Sequence, residues 1–107
     1  MTNTIKSNEL SFEFKQSGLL DLGAIWCSPC RTMAPIVEEI SEEQLDIQIA
    51  TCDIDENPQI AIDYGVRSVP TFIFFKDGIE IDRLVGVCSK QKLINKINEN
   101  LLNEVMA

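Results

Sequence analysis

Asp77-Gly78, set between Thr71-Phe-Ile-Phe-Phe-Lys76 and Ile79-Glu-Ile-Asp-Arg-Leu-Val85, restricts the fold more than any other feature of the chain. A two-residue turn joining strands requires positive φ at both turn positions, and Asp-Gly between two β-rich runs meets that requirement. The chain must therefore contain an antiparallel hairpin near its C-terminal end.

The segments before the hairpin alternate between strand and helix. Leu19 to Ala24 reads as a strand, followed by Trp26-Cys-Ser-Pro-Cys30 and then by apolar residues at Met33, Ile36, Val37 and Ile40. These fall on one face of an amphipathic helix. Pro35 lies inside that helix, removes one backbone hydrogen bond and predicts a kink. A second strand, about Asp46 to Ile54, places Ile47, Ile49 and Thr51 on one face and Ala50, Cys52 and Ile54 on the other. Both faces are expected to be buried, as in an α/β domain whose sheet is covered above and below. Asn57 as cap and Pro58 at the first position open a short helix to Tyr64. Ser89 caps a last helix that is predicted to reach Asn103, with Leu93, Ile94, Ile97 and Leu101 on its apolar face. A short helix is expected around Glu9 to Lys15. The order is β, α, β, α, β, β, α, a mixed sheet closed by the hairpin.

Length and charge bound what this sheet can serve. The 107 residues allow one core, so residues 1–107 are read as a single domain. No apolar run approaches the roughly 20 residues that span a membrane. Met1 to Glu9 lacks a basic head followed by an apolar stretch, which points to a cytoplasmic protein with no membrane association. Nine basic against seventeen acidic residues give a formal charge of −8. That balance argues against a nucleic-acid partner, because such affinity comes from cations that neutralise phosphates.

The chain has four cysteines, at 27, 30, 52 and 88, and no histidine. Cys-His and Ser-His catalysis and mixed Cys/His zinc sites are thereby excluded. Cys27-Ser28-Pro29-Cys30 stands at a strand-to-helix junction. Its first sulfur would sit where unpaired backbone N–H groups and the helix dipole favour a thiolate. Lowering a cysteine pKa from about 8.5 toward 7 makes the attacking species abundant at neutral pH. Cys27 would then attack a substrate disulfide, and Cys30 would attack Cys27 to release the reduced product. Pro29 restricts the turn, and Trp26 offers a flat apolar wall. The competing reading, half of a zinc site, is disfavoured because Cys52 and Cys88 stand apart and do not make a second close pair, so no metal is expected.

From about Leu19 to Leu102 the chain resembles the thioredoxin family. The resemblance rests on Leu20-Asp21 leading into Ala24-Ile-Trp-Cys-Ser-Pro-Cys-Arg31, on Met33-Ala-Pro-Ile36, on Asp53-Ile-Asp-Glu-Asn-Pro58, on Tyr64-Gly-Val-Arg-Ser-Val-Pro-Thr-Phe-Ile-Phe-Phe-Lys-Asp-Gly78, and on Gly86. It implies an α/β thioredoxin fold, with a central mixed β-sheet flanked by helices on both faces. It further implies a disulfide-reducing electron carrier with Cys27 as nucleophile and Cys30 as buried resolving thiol. By the same resemblance Pro70 is a cis-proline opposite the pair, and Val69 offers backbone hydrogen bonds to a bound peptide. The implied docking surface comprises Trp26, Ser28, Pro29, Val69, Pro70, Gly86 and Val87. Alternation puts Asp21 on an interior strand, where burial should raise its pKa; the resemblance makes it the acceptor of the Cys30 proton. The implied partners are disulfide-containing proteins and a separate NADPH-dependent, flavin-containing thioredoxin reductase, with no bound cofactor beyond the redox-active Cys27-Cys30 disulfide. An oxidant or isomerase is disfavoured by the absence of an export signal. The alternative of another class is a redox-inactive binding subunit of a larger complex that keeps this fold with idle cysteines.

Three positions depart from the family pattern. Ser28 stands where glycine is commonest, Gly23 where a bulky residue is usual, and Thr51 where many members carry a lysine near Asp21. Without that cation the pKa of Asp21 should be higher than in lysine-bearing relatives. Cys88, beside Gly86-Val87, would be a third reactive thiol if exposed, whereas Cys52 is expected to pack as a small hydrophobe.

Overall fold

The Asp77-Gly78 turn forms with φ of 54° and 82° at its two residues, as a two-residue hairpin demands. The computed structural model describes residues 3–5, 17–44 and 46–102, so the helix expected around Glu9 to Lys15 lies outside the described residues. In chain order the elements are β1 (Asn3–Ile5), β2 (Ser17–Gly23), α1 (Ser28–Glu43), β3 (Gln48–Asp53), α2 (Pro58–Asp63), β4 (Thr71–Lys76), β5 (Ile79–Val85) and α3 (Lys90–Ile97). A π-helical turn, Asn98–Leu102, continues α3.

The sheet order is β1-β3-β2-β4-β5. β2 is central, running parallel to β3 and antiparallel to β4, with Asp21 opposite Thr51 on one side and Phe72 on the other. β4 pairs antiparallel with β5, with an irregularity between Phe74 and Phe75. β1, which periodicity did not reveal, adds a parallel edge to β3. A three-residue strand is too short to show a period.

Side chains that alternate along the strands divide the core in two. On one face Leu19, Ile49, Phe72 and Phe74 pack with Met33, Val37 and Ile40 of α1 and with Leu93, Ile97 and Leu101. On the other, Leu20, Leu22, Ala50, Cys52, Ile73 and Phe75 pack with Ile60 of α2. Both faces are covered, and this is why β4 shows a continuous apolar run from Phe72 to Phe75.

The element ends differ from expectation for local reasons. β2 stops at Gly23 because Ala24 already belongs to the turn, its carbonyl accepting the Cys27 N–H at 3.1 Å. Asn57 precedes α2 without capping it through its side chain; its Nδ2 donates to the Asp53 carbonyl at 2.9 Å instead. Ser89 does cap α3, with Oγ accepting the Lys92 N–H at 3.1 Å. The last helix changes to π geometry after Ile97, where Leu101 stays in the core and its carbonyl accepts a bond from Ser17 Oγ at 2.9 Å. Pro35 lies inside α1. No helix among the described residues is long and apolar enough to cross a membrane.

Candidate active site

The C-terminal end of β2 delivers the chain into a turn, and the turn delivers Cys27 to the start of α1. Cys27 is the N-cap residue, with φ −87° and ψ 110°, and its sulfur accepts the Cys30 N–H at 3.1 Å. Its carbonyl accepts the Arg31 N–H at 3.2 Å, and Pro29 occupies the first turn, where a missing donor costs nothing. A sulfur in this place takes the role that Ser or Asp plays in ordinary caps. Negative charge on it is stabilised by a backbone donor and by the helix dipole. Cys27 and Cys30 are joined as a disulfide with Cα atoms 5.2 Å apart.

Opposite the disulfide, the loop before β4 supplies Val69 and Pro70. The Val69-Pro70 peptide is cis, as the resemblance implied, and the Val69 carbonyl oxygen lies 3.7 Å from Cys27 Sγ. The loop is tied at both ends: Thr71 Oγ1 donates to the Ser68 carbonyl at 2.6 Å, and the Gly86 N–H donates to the Pro70 carbonyl at 2.9 Å. Gly86 has φ 96°, a conformation that favours glycine. Residues from two separate segments therefore meet at one sulfur, and a third, at Gly86, holds the second in place. Around them Trp26 and Val87 are exposed, as are Ser28 and Pro29, Val69 is partly buried and Pro70 is buried.

Trp26 is held by a residue to which sequence reasoning gave no role. Its indole Nε1 donates to Asp55 Oδ2 at 2.7 Å, while the Asp55 N–H donates to Asp53 Oδ1 at 2.8 Å. The acidic Asp53-Ile-Asp55 segment was visible in the sequence, but nothing local tied it to an indole 29 residues away.

Burial separates the two cysteines in the opposite sense from that expected. Cys27 is 4% exposed, whereas Cys30 is only partly buried. A Cβ built at Gly23 would lie 3.2 Å from Cys30 Sγ, closer than ordinary van der Waals contact; among the described residues beyond its chain neighbours, only Cys30 comes within 4 Å of that position. A cavity of about 320 Å³ adjoins this contact, lined in part by Asp21, Gly23, Cys30, Ala34, Thr51 and Asp53.

Asp21 projects from the middle of β2 toward this cavity. Burial pushes its carboxyl pKa up to about 7, and the β3 residue beside it is Thr51, a hydroxyl in place of a cation. Cys52 is 2% exposed within the second core. Its thiol is pushed up to about 11 by burial first and by Asp53 and Asp21 second, which makes it a poor nucleophile. Cys88 is half-buried against the first core, and burial raises its pKa; it is not the exposed thiol considered above. Among the described residues no group of three or more Cys, Asp or Glu side chains is placed to hold a metal ion.

Comparison with known proteins agrees with this geometry. The thioredoxin family model matches residues 4–99. The chain is 46% identical over 84 residues to the thioredoxin of Rickettsia bellii, a match covering 78% of this chain and 80% of the relative. It is 43% identical over 84 residues to thioredoxin 1 of Synechococcus elongatus, covering 78% of each. Thioredoxin of Rickettsia prowazekii is 36% identical over 105 residues, covering 94% of this chain and all of the relative. The X-ray structure of Fasciola hepatica thioredoxin superposes with a TM-score of 0.82 at 31% identity, covering 92% of this chain and 99% of that one. The chain belongs to the thioredoxin family and is a thiol-disulfide oxidoreductase.

Proposed function

We propose that the chain is a general reductant of protein disulfides, working as one unit in the cytoplasm and recharged by an NADPH-dependent thioredoxin reductase. The observation that carries this reading is the Cys27 sulfur, set at the N-terminus of α1 and facing the Val69 carbonyl. In the dithiol state the Cys27 thiolate attacks a substrate disulfide, forming a Cys27 mixed disulfide and expelling one substrate thiolate. Cys30 loses its proton and attacks Cys27 Sγ. The second substrate thiolate leaves, and the Cys27-Cys30 disulfide forms.

Asp21 is the proposed proton acceptor for Cys30. Both residues line the same cavity, and a carboxyl with a pKa near 7 exchanges protons readily at neutral pH. The proposed docking surface is the rim formed by Trp26, Ser28, Pro29, Val69, Pro70, Gly86 and Val87. An extended substrate segment would hydrogen-bond to the Val69 backbone and lay apolar side chains on Trp26 and Val87, which are 65% and 54% exposed. A reducing compartment fits a protein whose active form is the dithiol, and electron transport of this kind maintains cellular thiol balance.

The test is insulin reduction driven by NADPH and a thioredoxin reductase. Wild-type protein should turn over, Cys27→Ser should abolish turnover, and Cys30→Ser should accumulate a mixed disulfide on Cys27. Turnover that survives Cys27→Ser would refute the mechanism. A reduction potential near the −270 mV of thioredoxins separates a reductant from an oxidant.

A further inference from the structure

We propose that Asp53 is a positioning residue for substrate docking: through Asp55 it fixes the indole of Trp26 in the orientation that a disulfide-bearing protein meets. The inference rests on the reading of Trp26 as part of the docking rim and names the residue that sets its geometry. Trp26 is 65% exposed, so little packing restrains it. Its backbone is fixed from both sides, because the Cys27 N–H donates to the Ala24 carbonyl at 3.1 Å and Arg31 Nη1 donates to the Ile25 carbonyl at 2.7 Å. What remains free is rotation of the side chain, and the bond from Nε1 to Asp55 Oδ2 at 2.7 Å selects one orientation.

Asp55 is itself exposed, and its carboxylate can hold an indole only where its own backbone is held. Asp53 supplies that hold. Its Oδ1 accepts the Asp55 N–H at 2.8 Å, an Asx turn that fixes the backbone two residues on. Asp53 is anchored in its turn at the end of β3. Its carbonyl accepts the Asn57 N–H and Asn57 Nδ2, each at 2.9 Å, and Asn57 is fully buried. The Ile54 N–H donates to the Gly23 carbonyl at 2.9 Å and ties the same turn to β2. The path from core to rim therefore runs through Asn57, Asp53 and Asp55 to Trp26. Ordering a free side chain at an interface has an entropic cost, which an indole already held in place avoids. Loss of the Asp53 acceptor should weaken docking of a protein substrate and not the exchange step at Cys27.

The test compares Asp53→Ala with Asp53→Asn in the reduced full chain. Both substitutions remove the charge, but only asparagine keeps an oxygen placed to accept the Asp55 N–H, so the difference between them isolates the acceptor. Each protein is mixed with excess insulin or with hydroxyethyl disulfide, a disulfide too small to span the rim. Asp53→Ala should reduce insulin about fivefold more slowly than Asp53→Asn, and the two should be equal toward hydroxyethyl disulfide. Trp26 is the single tryptophan of the chain, so time-resolved fluorescence anisotropy reads its motion directly. The indole should rotate faster in Asp53→Ala and as in wild type in Asp53→Asn. Asp55→Ala should match Asp53→Ala, and combining the two should give no further loss, because both break the same path. Equal insulin rates for Asp53→Ala and Asp53→Asn, unaltered indole rotation in Asp53→Ala, or losses that add in the double variant would overturn the proposal. Insulin reduction unaffected by Trp26→Ala would instead overturn the docking reading beneath it. If Asp53→Ala does not fold, Asp53→Gln, which moves the acceptor one methylene away, decides the matter by the same comparison.

Discussion

Asp21→Asn should stabilise the folded chain at neutral pH and leave it almost unchanged at pH 4. Asp21 has its carboxyl pKa raised by burial from 3.8 to about 7. The folded state holds this proton more tightly than the unfolded state, so wild-type stability falls as pH rises from 4 to 7 and levels off above. At 1.36 kcal/mol per pH decade, the full elevation corresponds to roughly 4 kcal/mol. Asp21 is not fully enclosed, and the cavity beside it admits solvent, which brings the expected effect nearer 2 kcal/mol. Urea denaturation of the oxidised protein, followed by far-UV circular dichroism between pH 4 and 8, measures it. With an m value of about 1 kcal/mol/M, the Asn variant should unfold at a midpoint near 2 M higher than wild type at pH 8 and at the same midpoint at pH 4. A difference that does not change with pH, or an Asn variant less stable at pH 8, would refute both the burial argument and the basis for Asp21 as a base.

Two further substitutions test the frame that carries the site. Ser89→Ala removes the oxygen that accepts the Lys92 N–H and should cost about 1 kcal/mol, read as a fall in melting temperature of roughly 4–8 °C. Phe74→Ala, at a fully buried position in the core between the sheet, α1 and α3, should cost about 3–5 kcal/mol in urea unfolding because of the cavity it leaves. A loss below about 1 kcal/mol would mean that the core is not packed as described.

Much of the fold was legible because it follows from local rules. The hairpin at Asp77-Gly78, the cap at Ser89 and the apolar face of α1 each depend on residues within a few positions of one another. So does the placement of Cys27 at a helix start, and with it the chemistry of the pair. The π turn after Ile97 and the displaced role of Asn57 were not legible. Each depends on a partner elsewhere in space, Ser17 for the Leu101 carbonyl and the Asp53 carbonyl for the Asn57 amide.

Sequence by itself determined the chemical class of the site: two cysteines three apart at a strand-to-helix junction, in a chain without histidine, with an aspartate on the strand beneath. Tertiary structure alone decided how buried each cysteine is. Cys27 and Cys30 have nearly the same sequence neighbours, yet Cys27 is buried and Cys30 only partly so. The Val69 carbonyl lies beside the Cys27 sulfur, whereas the Cys30 sulfur lies against Gly23, where a Cβ would come within 3.2 Å of it. The indole of Trp26 likewise owes its anchor to Asp55, and the carboxyl of Asp21 its elevated pKa to the sheet and helix that enclose it. Burial is a property of the packed chain, since the atoms that exclude water from a group come from segments far from it in sequence.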